Sequence, residues 1–131
     1  MLAHLCGARA EPPQLCGLQE FKSVLDGYKS KGLNIVAFPC NQFGGQEPGT
    51  NAEIKSFAAG KGFSGLLMDK VDVNGPNASP IFTWLKANSG DDSPTPWNFE
   101  KHLVGKDGTV HGRYGPQTSP AQLVPEIEKL L

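Results

Sequence analysis

The sequence predicts an α/β fold, an α/β/α sandwich, and three observations carry that prediction. Helix-patterned and strand-patterned segments alternate along the chain, the order expected when helices pack on a sheet. A short apolar run, Leu33 to Phe38, opens after Gly32 and closes at Pro39, then passes directly into a polar, glycine-rich loop. Near the C-terminus, Lys106-Asp107-Gly108-Thr109 separates two apolar segments, and Asp-Gly is a strong hairpin signal.

In chain order, Leu18 to Lys31 reads as an amphipathic helix with Leu18, Phe21, Val24, Leu25 and Tyr28 at helical spacing and Gly32 as its stop. The strand Leu33 to Phe38 follows. Thr50 or Asn51 caps a helix carrying Ile54, Phe57 and Ala58, which the glycines between Gly60 and Gly65 break. Met68 to Val73 reads as a strand. Ser79-Pro80 opens a helix through Ile81, Phe82, Trp84 and Leu85, with proline in the first turn where its missing N–H costs nothing. Ser89 to Pro96 is a polar, proline-containing loop, Phe99 to Val110 a hairpin, and Ser119-Pro120 the start of a last helix with Leu123, Ile127 and Leu130. One domain, 1–131, is expected, with 1–17 as an irregular N-terminal segment.

Composition narrows the function. A chain of 131 residues is large enough to remove roughly two-thirds of its unfolded surface from water. Its 12 Lys and Arg against 13 Asp and Glu give a net charge of −1, and no basic run suggests a nucleic-acid or membrane surface. The apolar runs fall well short of the ~20 residues that a spanning helix needs. Three cysteines, Cys6, Cys16 and Cys40, form no CxxC pair and are odd in number, which speaks against a closed disulfide framework and for a reducing compartment. The expected location is soluble, cytoplasmic or organellar. His4, His102 and His111 lack metal-ligand spacing, so no metal is expected.

Chemistry concentrates in Ala37 to Gly49, AFPCNQFGGQEPG. The loop lies at the C-terminal end of a strand, where open α/β sheets bind ligands, and the amides of the next helix point the same way. A tight turn needing two glycines and a proline is the plainer reading of the same residues. This stretch resembles, nearly residue for residue, the signature loop of the glutathione peroxidase family. The likeness runs from about Leu18 to Leu131 and includes DVNGPNASPIFTWLK, PWNFEKHLVGKDG and RYGPQTSPAQLVPEIEKLL.

The resemblance implies a thioredoxin-like sandwich and a cysteine-type thiol peroxidase in oxidative-stress defence. Such an enzyme reduces hydrogen peroxide or organic hydroperoxides with glutathione or a thioredoxin-like donor, and needs no cofactor. By that likeness Gln46, Trp97 and Asn98 are catalytic. Their amide and indole donors suit the task, since a thiol with a pKa near ~8.5 needs help to ionise at neutral pH. Cys40 and Asn41 belong to the signature loop, Cys40 as a buried structural thiol. For the nucleophile, MLAHLCG can be laid on the family's reactive motif, which makes Cys6 the candidate; an ungapped count back from Tyr28 places Glu11 there instead. Cys16, in a second Leu-Cys-Gly close to the helix start, reads most plainly as a helix-start residue with incidental sulfur; the sharper reading makes it the resolving cysteine, on one mobile loop with Cys6. Thioredoxin-dependent relatives carry a resolving cysteine after the Phe57 region, where this chain has Ala58-Ala59-Gly60.

Family members begin with an N-terminal hairpin and a full central strand. This chain is expected to lack the hairpin and most of that strand: either it is a truncated or mispredicted product, or Met1 to Cys6 fills part of the slot as a stub. Losing a central strand exposes the edges of both neighbours, so stability is expected to suffer. The competing functional class is a catalytically silent thioredoxin-fold module without a placed nucleophile.

Overall fold

A computed structural model describes the backbone of residues 2–5 and 12–131, and the side chains of 18–131. Five strands form one sheet in the order β3-β2-β1-β4-β5. They are β1 (Leu2–Leu5), β2 (Val36–Pro39), β3 (Leu66–Leu67), β4 (Lys101–Val104) and β5 (Val110–Tyr114), with helices α1 (Pro12–Tyr28), α2 (Asn51–Gly60), α3 (Pro80–Asn88) and α4 (Val124–Leu130) between and after them.

The strand β1 occupies the centre. It runs parallel to β2, with Leu2 opposite Val36 and Leu5 opposite Pro39, and antiparallel to β4, with Leu2 opposite His102 and Ala3 opposite Lys101. Of the stub expected at Met1 to Cys6, the described residues Leu2–Leu5 fill part of the central slot, and β2 and β4 keep a partner there; Met1 and Cys6 lie outside the described residues. The rest of the supposedly irregular segment is partly helix as well. Pro12 and Pro13 open α1, six residues before the apolar spacing starts at Leu18. Proline fits a first helical turn, and Pro-Pro-Gln-Leu-Cys-Gly carries no helical apolar pattern to announce it.

Side chains alternate across the sheet as a pleat requires. Ile35, Ala37 and Leu103 face a core completed by Leu18, Phe21, Val24 and Leu25 of α1 and by Leu123 and Ile127 near the C-terminus. Phe38 faces the other way, into a cluster with Cys40, Phe43, Val73, Phe82 and Leu85, against which Val36 and Val104 pack. Phe82 of α3 meets the Phe38 ring edge-on at 5.3 Å, a favoured geometry for two ring quadrupoles. Helices thus cover both faces.

Two strands differ from expectation. β2 begins at Val36 because its ladder partner β1 is four residues long, although Leu33 and Ile35 upstream are buried as the apolar run implies. The strand expected over Met68 to Val73 does not form: β3 is Leu66–Leu67, just before it. Leu66 and Met68 donate to Ile35 and Ala37, then the spacing slips and Val71 donates to Pro39. Proline supplies no N–H in return, so regular pairing ends. The remaining elements stand where the pattern puts them: α2 behind a Thr50 capping box, α3 behind Ser79-Pro80, and the hairpin closed by Gly105 N–H to the Thr109 carbonyl. The last helix opens at Ser119-Pro120 with a 3₁₀ turn, Pro120–Leu123, before becoming α4.

Candidate active site

The glycine-rich loop leaves β2 at Pro39 and folds on itself through two successive left-handed glycines, Gly44 (φ 65°) and Gly45 (φ 60°). That pair is why the sequence needs FGGQ: L-residues with a Cβ resist this backbone. Asn41 closes the loop by accepting the Glu47 N–H at 2.8 Å. Lys70 reaches over from beyond β3 and donates to the carbonyls of Glu47 and Gly49 at 3.1 and 2.8 Å. With its base fixed in this way, the loop presents Gln46 half-buried.

The segment before β4 supplies the partner. Asn98 is fully buried, and its Nδ2 donates to Gln46 Oε1 at 2.8 Å. The bond joins residues 52 apart in sequence and leaves the Gln46 amide nitrogen as a donor. Asn98 Oδ1 is buried and makes no hydrogen bond among the described residues. Trp97 stands beside them, 43% exposed, with its ring 5.7 Å from Phe43 of the glycine-rich loop. Phe99 follows with φ 62°, the single non-glycine residue at positive φ among those described. Such strain at a bulky residue costs on the order of 1–2 kcal/mol and clusters at functional sites. Here it turns successive side chains to opposite sides: Asn98 inward to Gln46, Phe99 onto the core under α1.

A second layer of polar groups ties these loops together. Gln42 Oε1 accepts the N–H groups of Val73 and Asn74, and its Nε2 donates to the Asn74 carbonyl. Asn74 in turn pairs with Thr95 through both its side-chain atoms, at 2.8 Å each. Behind Thr95 lies Glu100, 1% exposed. Burial pushes its carboxyl up, but hydrogen bonds from His102 and Arg113 and the Arg113 charge outweigh burial and hold it below the usual glutamate range. An ionised carboxylate only accepts, so His102 Nε2, 3.0 Å away, donates to it.

Of the residues expected to act, Gln46, Trp97 and Asn98 converge. Asn41 and Cys40 serve the loop: Cys40 is buried, and the Gln42 N–H donates to its sulfur at 3.4 Å. Cys6 lies outside the described residues. Cys16 lies within α1, not on the loop expected to carry it together with Cys6. Gln42, Asn74, Thr95, Glu100 and Arg113 were missed. Glu100, Lys101 and His102, in β4 and just before it, are polar residues at buried positions, and sequence shows them only as charge.

These loops and this fold define a thioredoxin-like α/β/α sandwich carrying a paired glutamine and asparagine beside an indole. Residues 2–86 match the family described as "Glutathione peroxidase". The chain is 60% identical over 116 residues to "Glutathione peroxidase 1, mitochondrial" of Chlamydomonas reinhardtii, covering 86% of this chain and 58% of that one. It is 49% identical to "Phospholipid hydroperoxide glutathione peroxidase, chloroplastic" of Pisum sativum (88% and 52% covered) and 45% identical to "Glutathione peroxidase 2" of Caenorhabditis elegans (88% and 76%). Among solved structures, "Trgpx in apo form" superposes with a TM-score of 0.74 at 27% identity (98% and 78% covered), and "T. cruzi GPX1" with 0.71 at 25% (98% and 80%). The chain belongs to the glutathione peroxidase family. It spans little more than half the length of the first two relatives.

Proposed function

We propose that this chain is a cysteine-type thiol peroxidase, reducing hydrogen peroxide or organic hydroperoxides with glutathione or a thioredoxin-like donor. The Asn98 to Gln46 hydrogen bond beside Trp97 carries the reading, because it sets amide and indole donors together in a chain of this family. In the proposed step the Cys6 thiolate attacks the O–O bond, keeps one oxygen as a sulfenic acid, and releases water or an alcohol after the leaving oxygen takes a proton. Two reductant thiols then return the sulfenic acid to thiol and water, becoming a disulfide themselves. Donors at Gln46, Trp97 and Asn98 favour both the thiolate and the leaving oxyanion.

Cys16 is proposed as a resolving thiol on an alternative route: it condenses with the Cys6 sulfenic acid, releasing water and forming a disulfide, which the two reductant thiols then reduce in place of the sulfenic acid. No helix of the described residues is long and apolar enough to cross a membrane, and the organelles named for two relatives support an organellar home.

Peroxide consumption by the purified chain, measured with each reductant, tests the function. Wild type should far outpace free cysteine, Cys6→Ser should abolish turnover, and Cys40→Ser should leave it standing. A wild type no faster than free cysteine favours the silent module, and an unaffected Cys6→Ser removes Cys6 from the mechanism. Intact mass after peroxide should show loss of two protons that disappears in Cys16→Ser; a loss that survives this change ends the resolving role.

A further inference from the structure

The stretch from Asp91 to Asn98 joins α3 to β4 without regular structure, yet it delivers Asn98 to Gln46. Two of its carbonyls, Asp91 and Pro94, accept from the Arg113 guanidinium at 2.7 and 3.1 Å. The same guanidinium donates to Glu100 Oε2 at 3.1 Å. The other oxygen of Glu100 accepts from the Thr95 hydroxyl at 3.0 Å and lies 3.0 Å from His102 Nε2. Thr95 is itself buried, with its backbone clasped by Asn74, which leaves its hydroxyl for Glu100.

We propose that Glu100 and Arg113 are positioning residues: their buried ion pair, reaching the loop through Thr95 and the Asp91 and Pro94 carbonyls, sets Trp97 and Asn98 against Gln46. The planar fork of arginine is suited to this: Nη1 holds the Asp91 carbonyl while Nη2 holds the Pro94 carbonyl and Glu100, which fixes direction as well as distance. A carboxylate is needed rather than an amide, since every group facing it is a donor: hydroxyl, imidazole and guanidinium. Neither residue hydrogen-bonds Gln46 or Asn98, so the effect travels through loop geometry. As a statement about turnover the inference rests on the peroxidase reading. As a statement about geometry it stands apart.

The test uses Thr95→Val, which removes the hydroxyl at nearly constant shape, and Thr95→Ser, which restores it, alongside Glu100→Gln. Each is read by the Asn98 side-chain amide resonances and by Trp97 emission in a Trp84→Phe background. Thr95→Val and Glu100→Gln should move the Asn98 amide toward solvent-like shifts, red-shift Trp97, and lower kcat by about tenfold with little change in KM; Thr95→Ser should recover all three. Variants that melt earlier yet keep the wild-type Asn98 amide and Trp97 emission would show the pair to be merely structural and overturn the inference. A wild type without peroxidase activity refutes the functional reading alone, because resonance and emission still decide the geometry. Should Glu100→Gln not fold, the Thr95 pair decides by itself.

Discussion

Lys101 brings a charge into the centre of the sheet. It is 1% exposed, and its Nζ donates to the carbonyls of Gly115 and Pro116. Burial pulls its pKa down to about 8, against a smaller upward pull from Glu20 and Glu100. An unfolded lysine titrates near 10.4, so between these values the unfolded chain binds more protons than the native one. Stability contributed at this position therefore rises with pH across that window. The stability of wild type relative to Lys101→Met, from urea unfolding, should increase between pH 7.5 and 10; a flat difference would mean that solvent reaches the ammonium. Glu100 has a dependence of the same sign, in the acid range. Its depressed carboxyl supports the fold above the ordinary glutamate range, and that support fades as pH falls through the lowered value.

Single elements give cleaner tests. Thr50 caps α2 through the Glu53 N–H while Glu53 returns the bond to the Thr50 N–H. Thr50→Ala should cost about 1 kcal/mol in denaturant unfolding. Gly45 has open space where a Cβ would sit, so Gly45→Ala tests backbone strain alone. The loss should be about 1–2 kcal/mol, and smaller in Gly45→Asn, which tolerates the left-handed region better. Both features were legible in the sequence, because caps and left-handed glycines are local chemistry written in one or two residues. The α1 start was not, since its first turn lacks an apolar stripe. Nor was the end of β3, which depends on whether Pro39 across the ladder can donate. Gln46, Trp97 and Asn98 were legible only through likeness to a family. Glu100 and Arg113 were hidden because a buried ion pair looks, in sequence, like two surface charges.

At the scale of the molecule, β1 is the strand that joins the parallel pair β3-β2 to the hairpin β4-β5. Its ladder covers Leu2–Leu5 with β2 and only Leu2 and Ala3 with β4. A proline there removes a ladder donor from a central strand. Ala3→Pro should cost ~3 kcal/mol or more, enough to abolish a single cooperative transition in a marginally stable domain. Calorimetry showing one unchanged transition would mean that the helices, rather than β1, hold the halves together.

The bond between Asn98 and Gln46 crosses that same seam, for Gln46 follows β2 and Asn98 precedes β4. A nascent or half-assembled chain has its thiols but lacks the paired carboxamides, which exist only once both halves have docked. On the proposed reading, completion of the fold acts as the licence for reactivity. Cysteines on an unfinished chain would meet peroxide no faster than any free thiol, and full reactivity would appear only with the finished tertiary structure.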